Sequence, residues 1–109
     1  MKENTTFLSA SHPKEALRIG EQVFKAEHLQ SAIIVHALGV LNERKGDSLS
    51  ASAWFAKEYT MRKLLFGEDD ESLAPVCVDL GTSYYNSGKY DLAISFLRRV
   101  SVSLRLMET

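Results

Sequence analysis

The stretch LGTSYYNSGKYDLAISFL, residues 80–97, has the pattern of one helix that stops and a second that starts at once. In the first helix, apolar or small residues recur at helical spacing, at Leu73, Val76, Cys77, Leu80, Gly81 and Tyr84. Gly88 suits a left-handed C-cap, which ends this helix. A second stripe comprises Tyr90, Ala93, Ile94, Leu97, Val100 and Leu104. The stretch therefore predicts a helical hairpin, with helices over residues 72–86 and 90–106.

The preceding part of the chain repeats this design. One apolar stripe comprises Ile34, Val35, Leu38 and Leu41, and another comprises Ala51, Trp54, Phe55, Met61, Leu64 and Leu65. Further upstream, Pro13 suits the first turn of another helix. We expect five helices, over residues 13–26, 29–44, 48–65, 72–86 and 90–106. Residues 1–11 have no periodicity, so we expect a flexible N-terminal tail before a single domain over residues 12–109.

An offset of 42 residues aligns the two predicted hairpins without a gap. The identical pairs are Ala32 with Ala74, Leu38 with Leu80, Gly39 with Gly81, Gly46 with Gly88, Ala51 with Ala93, and Leu64 with Leu106. Gly39 and Ala51 fall on facing helices of one hairpin, where small residues let two backbones approach closely. A fixed period in this size range indicates a solenoid of stacked hairpins.

These residues give the chain a resemblance to the tetratricopeptide repeat (TPR) family. The second copy matches the family's Leu-Gly, Tyr, Gly and Ala positions with Leu80, Gly81, Tyr84, Gly88 and Ala93. The first copy departs from the pattern, with Asn42 in place of the Tyr and Glu58 in place of a late Ala. The long period and the linker FGEDDESLAP are similar to the repeats of kinesin light chains. Residues 13–26 resemble the second helix of a preceding, partial repeat.

The resemblance implies an all-α solenoid of antiparallel helical hairpins. Another array of α-hairpins, or a small helical bundle, is the alternative fold. The implied function is that of a non-enzymatic protein–protein interaction module, a scaffold that binds a peptide or partner helix in its concave groove. The alternatives are a regulatory or sensor segment of a larger signalling protein and a self-associating helical-repeat protein.

The predicted groove consists of first-helix residues that point away from the apolar stripe. They are His36, Val40, Glu43, Arg44, Val78, Thr82, Tyr85 and Asn86. Arg44 can bind a carboxylate with two parallel hydrogen bonds, and Tyr85 offers a broad contact area with a polar tip. Long TPR repeats often carry an Asn pair where this chain has His36-Ala37 and Val78-Asp79, so the peptide-clasping role of those asparagines is not expected here.

The last predicted helix remains apolar up to Leu106 and Met107, and no polar capping helix follows it. Solenoids normally need such a cap for solubility. We therefore expect either a fragment of a longer repeat array or a homo-oligomer that forms through exposed terminal helices.

Several classes of function are not expected. The net charge is −1 and the basic residues are dispersed, which argues against a nucleic-acid partner. No apolar run approaches the roughly 20 residues of a membrane helix, and no secretory signal opens the chain, so a cytoplasmic protein is expected. His12, His28 and His36 lack metal-ligand spacing, and Cys77 falls in an apolar stripe as a small core residue. We predict no metal, no cofactor and no enzymatic activity.

Overall fold

The structure, a computed structural model, describes residues 13–108, with side chains described as far as Val102. The predicted flexible tail over residues 1–11 lies outside the described residues. Four helices follow one another: α1 (Pro13–Arg44), α2 (Ser48–Phe66), α3 (Leu73–Asn86) and α4 (Tyr90–Glu108). No strand occurs within residues 13–108, so the predicted all-α class is confirmed for that part of the chain.

The predicted number of five helices is corrected to four among the described residues. Residues 27 and 28 were expected to separate two helices, but they lie inside the 32-residue helix α1. Neither glycine nor proline interrupts this region, and Lys25, Ala26, Glu27 and Gln30 all favour helix. The partial repeat predicted over residues 13–26 therefore has no turn that separates it from the first full hairpin.

The turns inside the two hairpins have the same backbone. Gly46 and Gly88 adopt φ angles of +83° and +85°, a region in which glycine avoids the steric cost of a Cβ. The first turn has hydrogen bonds from the amides of Lys45, Gly46 and Asp47 to the carbonyls of Leu41, Glu43 and Asn42. The second turn has them from Ser87, Gly88 and Lys89 to Ser83, Tyr85 and Tyr84. Each bond in the second turn lies 42 residues after its counterpart.

A glycine lets the two helices of each hairpin approach closely. A Cβ on Gly39 would lie 2.6 Å from the ring of Phe55, and a Cβ on Gly81 would lie 2.8 Å from Leu97. Both contacts occupy equivalent positions of the 42-residue period. The facing alanines are buried as well, as Ala51 and Ala93 have almost no exposed surface.

The second hairpin packs against the first through α2 and α3. Their shared core comprises Ala51, Phe55 and Tyr59 from α2 and Leu73, Val76, Cys77 and Leu80 from α3. The predicted core position of Cys77 is confirmed, and its burial raises the pKa of the thiol, with Arg99 acting weakly in the opposite direction. This core holds the hairpins side by side.

The four helices form a single layer. Extensive contacts join only helices that follow each other in the chain, and the molecule measures 56 × 38 × 17 Å. Its radius of gyration is 18.1 Å, whereas a compact domain of about 100 residues has roughly 13 Å. A layer built by nearest neighbours leaves the outer faces of its first and last hairpins open.

We predict that Gly39→Ala destabilises the protein by about 1–3 kcal/mol, because the added methyl group collides with the fully buried ring of Phe55. Gly81→Ala should cost less, since Leu97 is partly exposed and can turn aside. Gly20 is the control: a Cβ there has no neighbour within 4 Å, so Gly20→Ala should stabilise helix α1 by up to about 1 kcal/mol. Urea denaturation of the three variants measures their free energies of unfolding. A Gly39→Ala variant as stable as wild type contradicts this account of the packing.

Candidate functional site

Two of the predicted groove residues, Glu43 and Asn86, meet at the joint between α1 and α3. The Glu43 carboxylate accepts hydrogen bonds from Ser48 Oγ at 3.0 Å, Ser83 Oγ at 2.8 Å and Asn86 Nδ2 at 3.1 Å. Partial desolvation acts to raise the pKa of Glu43, but the three hydrogen bonds outweigh it and hold the pKa below its usual value. Glu43 and Asn86, both predicted as partner-binding residues, thus bind each other across the hairpins.

His36 belongs to a second polar group at the same joint. Its Nδ1 atom lies 2.9 Å from Glu58 Oε1 and 3.9 Å from Asp79 Oδ2. Glu58 is fully buried and also accepts a bond of 2.7 Å from Arg62 Nε, which compensates its charge. Partial burial raises the pKa of Asp79, and the proximity of His36 works against that shift. His36 therefore connects the buried carboxylate of the first hairpin to the second hairpin.

The equivalent positions on α3 are open. In the 42-residue period His36, Val40 and Glu43 correspond to Val78, Thr82 and Tyr85. In the first hairpin these positions are at least partly covered, and Val40 packs against the shared core. In the second hairpin all three are exposed at i, i+4 and i+7, which places them on one face of α3.

The second helices of the hairpins show the same contrast. Ser52 and Phe55 on α2 are each 3% exposed, and Phe55 belongs to the core shared with α3. Their equivalents on α4 are Ile94 and Leu97, which are 50% and 41% exposed. Tyr90, which occupies the position equivalent to Ser48, is exposed as well.

These open positions form a continuous area that we call the receiving surface. Its six residues are Val78, Thr82, Tyr85, Tyr90, Ile94 and Leu97. The rings of Tyr85 and Tyr90 meet edge to face with centroids 5.4 Å apart, and Leu97 lies against Gly81 next to Thr82, so the halves on α3 and α4 adjoin. None of the six residues is Asp, Glu, Lys, Arg or His. Contiguous exposed apolar surface is common at the interaction sites of proteins.

Of the eight residues predicted for the groove, five are exposed and three, His36, Val40 and Glu43, are partly covered. Val78, Thr82 and Tyr85 are brought together on the receiving surface, and Arg44 is exposed on α1. His36, Val40, Glu43 and Asn86 make contacts within the chain instead. Tyr90, Ile94 and Leu97 are absent from the predicted groove because that prediction considers only residues of the first helix of each hairpin. The 42-residue offset is the signal that could have found them, since it matches each one to a covered position on α2.

Other kinds of site have little support in the described part of the chain. Between residues 13 and 108, no three His, Cys, Asp or Glu side chains are grouped so that they could hold a metal ion. None of the four described helices combines the length and the apolar character that a membrane crossing requires.

We predict that Glu43→Gln weakens the joint by about 1 kcal/mol at neutral pH, since hydrogen bonds to a charged acceptor are replaced by weaker ones in a partly solvated place. The folded-state pKa of Glu43 is depressed, so its stabilising effect is present above the unfolded-state pKa and disappears as the pH falls through the folded-state value. The difference between wild type and variant should therefore shrink as the pH is lowered below about 4. Denaturation curves from pH 7 to pH 3 measure it, with the exposed Glu71→Gln as control; a difference that stays constant with pH excludes this role for the Glu43 carboxylate.

Comparison of the chain with protein-family models, with curated proteins and with solved structures found no significant match to any of them.

Proposed function

We propose that this chain is a non-enzymatic protein–protein interaction module of the TPR type that binds an amphipathic helix of a partner at the receiving surface. One observation carries the proposal: the positions that α3 covers in the first hairpin recur, 42 residues later, as an exposed apolar surface. The chain itself thus contains one occupied example of the site and one open example.

The occupied example indicates which partner fits. Helix α3 meets the first hairpin with Leu73, Val76 and Leu80, which recur at i, i+3 and i+7 and are almost fully buried. A partner helix with large apolar residues at this spacing matches the open site in the same way. Tyr85 and Tyr90 offer large contact areas with few rotatable bonds, the kind of side chain that dominates binding energy at interfaces.

The remaining predicted groove residues have supporting roles in this proposal. Val78 and Thr82 contact the partner helix together with Tyr85. Glu43, through Ser83 and Asn86, holds α3 in place and so positions the surface. The single cysteine, Cys77, leaves no internal disulfide, which suits a reducing compartment such as the cytoplasm.

Selection of helical peptides from a display library tests the proposal. Peptides that bind wild-type protein should carry apolar residues at i, i+3 and i+7, and fluorescence anisotropy should show more than tenfold weaker binding to the double variant Tyr85→Ala/Ile94→Ala. Both side chains are exposed, so the variant should remain folded, which circular dichroism checks.

Leu49→Ala is the matched control, because Leu49 is an exposed leucine outside the receiving surface. It should bind the selected peptides as wild type does. If no peptide is recovered, or if the double variant binds the recovered peptides as tightly as wild type, the receiving surface is not a helix-binding site.

A further inference from the structure

The opposite end of the layer carries a second open surface, on the outer face of α1. We call it the presenting surface; it consists of Ile34, Ala37, Leu38, Leu41 and Arg44. Ile34 and Leu41 are 62% and 51% exposed, whereas their equivalents on α3, Val76 and Ser83, are 3% and 1% exposed. The presenting surface therefore occupies the repeat positions with which α3 packs onto the first hairpin.

We propose that copies of this chain associate head to tail, with the presenting surface of one copy packed on the receiving surface of the next. The joint between the two hairpins of one chain is the template, and α1 of the second copy takes the place that α3 has in that joint. This inference rests on the proposed function, since it requires that the receiving surface accepts a helix.

The polar pairs of the internal joint show why a second copy fits. His36 faces Asp79 within the chain, and the equivalent pair between copies is Val78 with Ala37. Both members of the pair are therefore apolar between copies. Polar residues are thus replaced by apolar ones on both the presenting and the receiving surface. Binding of an unrelated partner to the receiving surface would not require this change on the presenting surface.

The contacts of Glu43 follow the same rule. Within the chain Glu43 binds Ser83, and the equivalent pair between copies is Tyr85 with Leu41. Asn86 also donates a hydrogen bond to Glu43 within the chain. The equivalent pair between copies is Arg44 with Tyr85, in which the guanidinium can stack on the aromatic ring. Each polar contact inside the chain thus has an apolar or cation–π counterpart between copies.

The second helix also offers matching volume. At the internal joint Phe55 of α2 packs with the core residues of α3, and Ser52 is buried on the same helix; the equivalent residues of the joint between copies are Leu97 and Ile94. At these two positions the larger side chain becomes smaller and the smaller one becomes larger, so the two changes partly offset each other in volume. Volume-conserving exchanges of this kind are well tolerated in packed interfaces.

The geometry of the association is heterologous, because two different surfaces meet. Each added copy leaves one presenting and one receiving surface free, so a further copy can add at either end of the assembly. The mean mass should therefore rise steadily with protein concentration and reach no fixed size.

Two blocked variants test the inference. Ile34→Glu/Leu41→Glu introduces charge on the presenting surface, and Val78→Glu/Ile94→Glu does so on the receiving surface; all four residues are exposed and glutamate favours helix. In sedimentation experiments the wild type should self-associate, whereas each variant alone should associate at least tenfold more weakly. An equimolar mixture of the two variants retains one intact joint, so it should form a 1:1 dimer of twice the 12.2 kDa chain mass.

Three results overturn the inference: a wild type that stays monomeric at the highest concentration, a blocked variant that still forms dimers alone, or a mixture that does not associate. The milder pair Ile34→Ser and Ile94→Ser replaces any glutamate variant whose circular dichroism shows unfolding. If self-association is absent but selected peptides still bind the receiving surface, the proposed function stands and only the second copy is excluded. If the peptides fail as well, both proposals fall.

Discussion

The arrangement of the whole chain depends on the burial of one aromatic ring. Phe55 fills the space that Gly39 leaves between α1 and α2, and its other side is covered by the core residues of α3. A single side chain therefore fixes both the packing inside the first hairpin and the stacking of the second hairpin on it. Leu97 meets Gly81 in the same way but stays half exposed, since no described helix follows α4.

The chain uses different chemistry for the joint that it makes internally and for the surfaces that it leaves open. The internal joint contains carboxylates with matched donors, such as Glu43 with Ser83 and Asn86. An apolar helix placed there would cover the Glu43 carboxylate without the two hydrogen bonds that α3 donates, at a cost of about 1–3 kcal/mol. The polar pairs therefore favour α3 over an apolar competitor at the internal joint, while apolar helices suit the receiving surface.

Much of the fold could be predicted from the sequence, because its signals are local. Gly46 and Gly88 mark the turns, and apolar stripes gave the bounds of α2, α3 and α4 to within about two residues. The break in α1 was wrong because it followed from the expected repeat and not from a helix-breaking residue. The candidate site was predicted only in part. His36 and Val78 lie 42 residues apart at corresponding places in the two hairpins, and the neighbouring hairpin decides which of them is covered.

The contacts between successive helices also affect how the chain folds. The hydrogen bonds that link the hairpins join residues only about one period apart, as between Glu43 and Asn86, which are 43 positions apart. Each described helix makes its extensive contacts with the helices next to it in the chain. Little loop-closure entropy therefore opposes folding, and nucleation can occur in either hairpin. An intramolecular architecture of this type can lengthen by whole units while every existing joint, and the speed at which each one forms, stays the same.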